Sequence, residues 1–200
     1  MAVSDSQPGF IRKNLVLLFL IVFGYLFEVC VMPYLQIFDV SPNLLYAIIG
    51  IVTVAYGKLR AFWLGMIFGL LMQIMLPSVS YLNLALYSLT SLFCSFPFAD
   101  KALKTIEYER AMNRSRKELP PWLRTLLCAL LNILIYEAVN VAYIYLGDTE
   151  LTMDHILRAL LDVILTGALT ALLMFPVRRL IFGKHRMPVM RPSPVLFARR

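Results

Sequence analysis

The sequence predicts an all-α integral membrane protein with six transmembrane helices and with both termini in the cytoplasm. Three observations support this fold class. The chain of 200 residues is 60% hydrophobic and has a mean hydropathy of +0.75, which is more apolar surface than one soluble core can bury. Six apolar runs are separated by charged or turn-forming residues. All but one of the 19 Lys and Arg residues then fall on the cytoplasmic side, as the positive-inside rule requires.

The predicted spans follow from apolar runs of about the 20 residues that cross a bilayer. The second and third runs are short, and only Lys58–Arg60 lies between them, so they should form a tight antiparallel hairpin. Ser41 is the expected N-cap of the second span, with Pro42 in its first turn. The spans cover residues 14–36, 42–57, 61–76, 81–99, 123–146 and 155–176.

The spans form a single domain over residues 1–182, without room for a sizeable soluble catalytic domain. The cytoplasmic loop 100–122 should extend the fourth helix and stop at two prolines, which disfavour helix before them. The basic tail 183–200 should be disordered and held loosely by anionic lipid headgroups. The first apolar run is too long for a signal-peptide core and no cleavage site follows it, so the first helix should be retained.

Ionisable side chains inside a span are costly and tend to face the bundle interior, a partner or a cavity. With the predicted orientation, these side chains all lie in the outer half of the membrane, where tyrosine and asparagine side chains join them. We call this set the outer polar layer; it comprises Glu28, Tyr136, Glu137, Asn140, Arg158 and Asp162.

Arg158 is the exception to the charge rule, and its neighbours suggest a reason. Asp154 and Asp162 lie four residues before and after it, so one helix face should pair the guanidinium with either acid. His155, near the same face, is expected to be a polar residue at the level of the headgroups rather than a proton relay.

The fifth span carries a polar stripe of Asn132, Tyr136, Asn140 and Tyr143, flanked by Glu137. Two interpretations stay open. The stripe could supply hydrogen bonds between helices, which is the commoner role of such residues in membranes. It could instead form part of a ligand surface.

No motif of a catalytic or metal site occurs in the sequence. The three cysteines lie in apolar runs without a CxxC spacing or a histidine partner, so neither a disulfide framework nor a metal site is expected. HExxH, GxSxG and phosphate-binding loops are absent from the sequence. We therefore expect a non-enzymatic protein without a cofactor and without a nucleic-acid partner.

The stretch "YGKLRAFWLGMIFGLLMQIM", residues 56–75, places small residues and an amide along one hydrophobic run. Small residues let helices approach closely in lipid, where packing and hydrogen bonds drive association. The candidate contacts to a partner helix are therefore Gly57, Gly65, Gly69 and Gln73. The alternative is that the glycines pack spans of the same chain.

The second to fourth spans, "SPNLLYAIIGIVTVAYGKLRAFWLGMIFGLLMQIMLPSVSYLNLALYSLTSLF", resemble those of the bacterial rod shape-determining protein MreD family. The resemblance is carried by Pro42, Tyr56, Gly57, Gly65, Gly69 and Leu70. Members of that family commonly carry a further glycine where this chain has Ala61, and an acid where it has Gln73. A role that requires a carboxylate at that depth is therefore not expected of Gln73.

The resemblance implies a multi-pass subunit of the bacterial cytoplasmic membrane that acts in cell elongation. Its implied partners are the bitopic protein MreC and, through MreC, the peptidoglycan polymerase and transpeptidase and the actin-like MreB filaments. It also implies a fold like the six-helix substrate-binding components of energy-coupling-factor vitamin transporters.

Two functions remain as hypotheses. The first is a scaffold that binds the MreC-type partner through the glycines and the outer polar layer. The second is a small-molecule binder with an outward pocket lined by Glu28, Gln73, Tyr136, Glu137 and Asp162.

Overall fold

A computed structural model describes residues 10–75, 81–98, 119–147 and 152–182. Every regular element in these ranges is a helix, which confirms the all-α prediction. The described residues form six α-helices and one short 3₁₀ helix: α1 Phe10–Cys30, the 3₁₀ helix Met32–Tyr34, α2 Leu44–Tyr56, α3 Lys58–Met75, α4 Leu82–Phe98, α5 Pro121–Leu146 and α6 Met153–Phe182. The predictions for loop 100–118, for the turn after the third span and for the tail 183–200 lie outside the described residues.

Within the described ranges, four segments are long and apolar enough to cross a membrane: Ile11–Tyr34, Lys58–Met75, Pro121–Leu146 and Met153–Ile181. The chain is therefore a multi-pass membrane protein. The other two helices, α2 and α4, are apolar but shorter. At a rise of about 1.5 Å per residue, the 13 residues of α2 cover only about two thirds of a bilayer core.

The shortest of the six helices, α2, occupies the centre of the bundle. It contacts all five other α-helices. Every residue from Leu44 to Val54 is buried, because the helix is apolar on all sides and has no polar face to turn outward. The other five helices therefore pack around α2 and present much of their own apolar surface outward.

The ends of α2 differ from the prediction. The N-cap is Asn43, whose side chain accepts a hydrogen bond from the Tyr46 backbone nitrogen, so the assignment of this role to Ser41 is wrong. At the other end α3 already begins at Lys58, and Gly57 alone forms the turn. Gly57 has φ +86°, a left-handed conformation that glycine adopts without steric cost.

The boundaries of the long helices also differ. The first helix runs from Phe10 to Cys30, whereas the predicted span was 14–36. It ends before the predicted residue because the chain continues into a 3₁₀ turn that contains Pro33. The last helix continues through Pro176 to Phe182, beyond the predicted end at 176.

Charges separate between the two ends of the bundle. The contacts of Tyr46 with Tyr136 and of Cys94 with Cys128 show that α5 runs antiparallel to α2 and to α4. The positions of Gly65 and Gly69 against α4 show that α3 also runs antiparallel to α4. All the described acids lie towards one end, which we call the acidic end: Glu28, Asp39, Glu137, Asp154 and Asp162. Every described Lys and Arg except Arg158 lies towards the opposite, basic end.

Candidate functional site

The start of α2 lies inside the bundle, on the side of the acidic end, and carries an unusual cap. The first backbone N–H groups of a helix have no partner within it and carry a partial positive charge. The Leu44 N–H donates to Glu28 Oε2 of α1 at 2.8 Å, and the carboxylate also accepts from the Leu45 N–H. Glu28 therefore stabilises a helix that begins where water cannot satisfy its backbone.

Asn43 connects the start of α2 to two further helices. Its side-chain nitrogen donates to the Tyr87 hydroxyl of α4 at 2.9 Å. Its backbone N–H donates to Thr166 Oγ1 of α6 at 2.9 Å, and the Thr166 hydroxyl donates to Asp162 Oδ1 at 3.0 Å. A chain of hydrogen bonds thus runs from the first turn of α2 to Asp162.

Three tyrosine rings pack beside this network. Tyr46 and Tyr87 are stacked with ring centroids 4.3 Å apart, and Tyr136 lies tilted against both, at 5.3 and 5.8 Å. Since such ring pairs are stabilising beyond the area they bury, the cluster fixes α2, α4 and α5 relative to one another.

A cleft of about 530 Å³ opens at the acidic end. Its walls come from the loop before α2, the start of α4, the last turns of α5 and the first turns of α6. The polar side chains that line it include Asp39, Tyr136, Glu137, Asn140, Arg158 and Asp162. Five of the six members of the outer polar layer therefore line the cleft. The sixth, Glu28, accepts a hydrogen bond from the start of α2 instead.

The inner wall of the cleft brings two carboxyl groups together. Glu137 of α5 and Asp162 of α6 lie within hydrogen-bonding reach of each other, and Asn140 is in reach of both Tyr136 and Glu137. No described Lys or Arg is among the groups that interact with Glu137 and Asp162. The residues of the polar stripe of α5 lie in two environments. Tyr136, Asn140 and Tyr143 line the cleft, whereas Asn132 is fully buried and donates a hydrogen bond to Cys128 of its own helix.

The prediction that Arg158 forms an ion pair with Asp154 or Asp162 is wrong. Arg158 is exposed and pairs with neither Asp154 nor Asp162, although both are one helical turn away. Asp162 instead accepts a hydrogen bond from Thr166, and Asp154 is not among the residues that line the cleft. His155 also lines the cleft, and its Nδ1 lies 2.6 Å from Thr152 Oγ1.

Gly65 and Gly69 pack within the chain and are not available to a partner helix. Both are buried on α3. A Cβ at Gly69 would lie 2.9 Å from the Asn83 carbonyl oxygen and 2.9 Å from the Leu84 Cα, and one at Gly65 would collide with Ser91 and the Tyr87 carbonyl. The glycines let α3 and α4 approach each other closely, so the intramolecular alternative explains them.

The remaining candidates for a partner contact also serve the fold. Gln73 Oε1 accepts a hydrogen bond from the Asn83 backbone nitrogen at 3.2 Å, which satisfies a free donor in the first turn of α4. Gly57 supplies the left-handed turn between α2 and α3. Gln73 is not among the residues that line the cleft.

Sequence reasoning missed the residues that connect the network: Asn43, Tyr87 and Thr166. Asn43 stands directly before an uninterrupted apolar run, which is a sequence signal for an N-cap. The preceding Ser-Pro pair gives the same kind of signal two residues earlier. Tyr87 and Thr166 read as ordinary helix residues, because their partners are 44 and 123 residues away in the chain.

Two exposed aromatic residues flank the cleft in a strained backbone conformation. Phe38 has φ 53° and Tyr81 has φ 62°, in the left-handed region that bulky side chains rarely adopt. Phe38 is 82% exposed and Tyr81 is 72% exposed, and each is adjacent to a residue that lines the cleft. Together with two other exposed tyrosines towards the acidic end, they make up what we call the aromatic rim: Tyr34, Phe38, Tyr81 and Tyr145.

Comparison with models of protein families, with curated proteins and with solved structures found no match. Within the described ranges, no three His, Cys, Asp or Glu side chains converge to hold a metal ion. The arrangement offers a polar cleft with carboxyl groups inside, a guanidinium at its wall and aromatic side chains around it. Such a site is suited to binding.

Proposed function

We propose that this protein is a non-enzymatic membrane scaffold that binds a partner protein at its acidic end. Following the resemblance of its second to fourth spans, we place it in the cell-elongation machinery of the bacterial cytoplasmic membrane. Its direct partner would be an MreC-type bitopic protein, through which it connects to peptidoglycan synthesis and to MreB filaments.

The observation that carries this proposal is the conformation of Phe38 and Tyr81. A non-glycine residue in the left-handed region costs roughly 1–2 kcal/mol. Both residues bear large aromatic side chains that gain little burial within the chain, since both are mostly exposed. Aromatic side chains at a strained, exposed position are explained if they contact another molecule.

The proposed orientation has six spans and both termini in the cytoplasm. The segregation of the described charges supports it, because the basic end would face the cytoplasm and the acidic end the outside. The two short helices would be spans of the bundle, and the loop 31–43 would take up the length that α2 lacks. In this orientation the aromatic rim lies where a bitopic partner leaves the membrane.

The test is co-purification of the full-length chain with the MreC-type partner after removal of the rim aromatics. The Phe38→Gly, Tyr81→Gly double variant should retain its fold and lose at least about tenfold in partner affinity, as expected for two exposed aromatic contacts. Trp122→Ala, which removes an exposed aromatic side chain at the basic end, is the control and should bind normally. Normal partner binding by the folded double variant would contradict the proposal.

A second candidate function is supported by the cleft itself. Small-molecule sites are typically concave, with a few convergent polar groups in a mainly apolar wall. The cleft of about 530 Å³ has this form, with Tyr136, Glu137 and Asp162 among its lining residues. A saturable rise of the melting temperature in a screen of vitamins and lipid-linked precursors would support this candidate, and a flat screen would contradict it.

A further inference from the structure

We infer that the cleft selects a small dipolar molecule, whose ammonium group binds between Glu137 and Asp162 and whose anionic group binds Arg158. The inference deepens the small-molecule candidate and rests on it. It is independent of the scaffold proposal, which depends on the aromatic rim.

The first step of the argument is the contact between the two carboxyl groups. Glu137 and Asp162 come from different helices and meet at the inner wall of the cleft. A hydrogen bond between the two groups requires a proton on one of them, because two ionised carboxylates at such a separation repel each other. No described Lys or Arg pairs with either. A cationic group that enters the cleft and contacts both would relieve this repulsion.

The second step is the chemistry around the carboxyl groups. Tyr136 and Asn140 line the same cleft. An aromatic ring attracts a cation to its face, and an amide oxygen accepts a hydrogen bond from an ammonium group. Carboxylates, a ring and an amide oxygen together are suited to an organic ammonium ion. A metal ion is less suited, because no third His, Cys, Asp or Glu converges with the pair among the described residues.

The third step is the position of Arg158. It lies one helical turn nearer the start of α6 than Asp162, which is about 6 Å along the helix axis. Since α6 begins at the acidic end, the guanidinium lies nearer the mouth of the cleft and the carboxyl pair lies deeper. Arg158 forms no ion pair with a described acid, so its charge is available to an anion.

Opposite charges at two depths favour a ligand that carries both. A simple amine would satisfy the carboxyl pair and leave the guanidinium without a counterion in the same cleft. A simple anion would meet the acidic inner wall, and Asp39 adds a further acid to the lining. A molecule with an ammonium group at one end and a carboxylate at the other matches both positions.

The test uses three probes of similar size: 4-aminobutanoate, butylamine and butanoate. The full-length protein is titrated with each in detergent micelles, and the dissociation constant is taken from the saturable rise of the melting temperature. The dipolar probe should bind at least about tenfold more tightly than butylamine, since a charged hydrogen bond is worth roughly 1.5–3 kcal/mol and 1.4 kcal/mol is tenfold. Butanoate should give no shift.

Two variants test which side chain binds the ammonium group of the ligand and which binds its anionic group. Glu137→Gln should weaken 4-aminobutanoate and butylamine alike by about tenfold or more. Arg158→Gln should weaken only 4-aminobutanoate, so that it binds no better than butylamine. Asp154→Asn alters an exposed acid of the same helix that does not line the cleft, and it should leave all three probes unchanged.

Equal binding of 4-aminobutanoate and butylamine by the unmodified protein would overturn the inference, as would unchanged selectivity in Arg158→Gln. Arg158 is exposed, so this variant should fold even if Glu137→Gln does not. Saturable binding of a compound from the broader screen, without binding of the dipolar probe, would overturn the inference and leave the small-molecule candidate standing. Absence of binding in both experiments would contradict both.

Discussion

The carboxylate of Glu28 accepts a hydrogen bond from the backbone N–H of Leu44 at a distance of 2.8 Å. This contact joins the last turn of α1 to the first turn of α2, a helix that begins within the bundle and whose first eleven residues are all buried. An N-cap usually comes from the residue before the helix, and here Asn43 also fills that role. Glu28 is therefore a second cap, supplied by a different helix.

Glu28→Ala should destabilise the protein by about 1–3 kcal/mol, because it leaves two buried backbone N–H groups without their acceptor. Glu28→Gln keeps an oxygen acceptor and should lose less. The measurement is the midpoint of thermal unfolding in detergent micelles. Asp154→Ala, at an exposed acid on α6, is the control and should have the same midpoint of thermal unfolding as the unmodified protein. Unfolding of Glu28→Ala at the same temperature as the control would show that the cap is not needed.

Asn43→Leu should cost about 2–3 kcal/mol of stability. The substitution removes the acceptor for the Tyr46 N–H and the donor to the buried Tyr87 hydroxyl, so two buried polar groups lose a partner. Asn14→Leu makes the same chemical change at an exposed position of α1 and should change the stability little. Similar unfolding midpoints for the two variants would argue against a central role for Asn43.

Gly69→Ala should destabilise the chain by about 1–3 kcal/mol through overpacking, since the new Cβ would meet backbone atoms of α4 that cannot move aside easily. Ala85→Leu adds a larger group at an exposed position of α4 and should be tolerated. Melting temperatures of both variants give the comparison. A Gly69→Ala protein as stable as the unmodified chain would mean that α3 and α4 are less closely packed than the structure describes.

Phe38→Gly and Tyr81→Gly should each stabilise the protein by about 1 kcal/mol, because glycine adopts the left-handed conformation without steric cost. The same changes should weaken the proposed partner contact, so stability and binding should move in opposite directions. Gly57→Ala is the reciprocal control: it places a Cβ at φ +86° and should destabilise. Loss of stability in both rim variants would disprove the strain.

Labelling of single cysteines tests the proposed orientation. In a background with Cys30→Ser, a Tyr34→Cys variant places a thiol at the exposed acidic end, and Leu59→Cys places one at the exposed basic end. A membrane-impermeant maleimide should label the first in intact cells and the second only after the membrane is opened. Cys94 and Cys128 are buried and should not react in either case. The reverse pattern would invert the topology.

Much of the fold could be predicted because it depends on local composition. Long apolar runs become helices in lipid, since every backbone group must find its partner within the segment. The start of α2 could not be predicted well, because the decision between Ser41 and Asn43 depends on acceptors in other helices. The boundary at Gly57 was misplaced for a related reason: Lys58 and Arg60 looked like a polar turn but begin α3.

The candidate site was predicted as a set of residues, and only the tertiary structure assigned their roles. The common depth of Glu137, Asn140 and Asp162 follows from counting along spans of alternating direction. Their meeting in one cleft, the turning of Glu28 to α2, and the absence of an ion pair at Arg158 depend on the rotation of each helix about its axis. The spacing of residues along one helix does not determine how that helix is rotated about its axis.

By itself the sequence determined a helical, multi-pass membrane chain, because burial in lipid is a property of segments. It also predicted that all but one of the basic residues lie on one side. The tertiary structure decided which surfaces face one another. It placed Gly65 and Gly69 against α4, where backbone atoms approach too closely for a side chain, and it put the shortest helix at the centre. These features depend on close contacts between distant segments, and such contacts leave no local pattern to read.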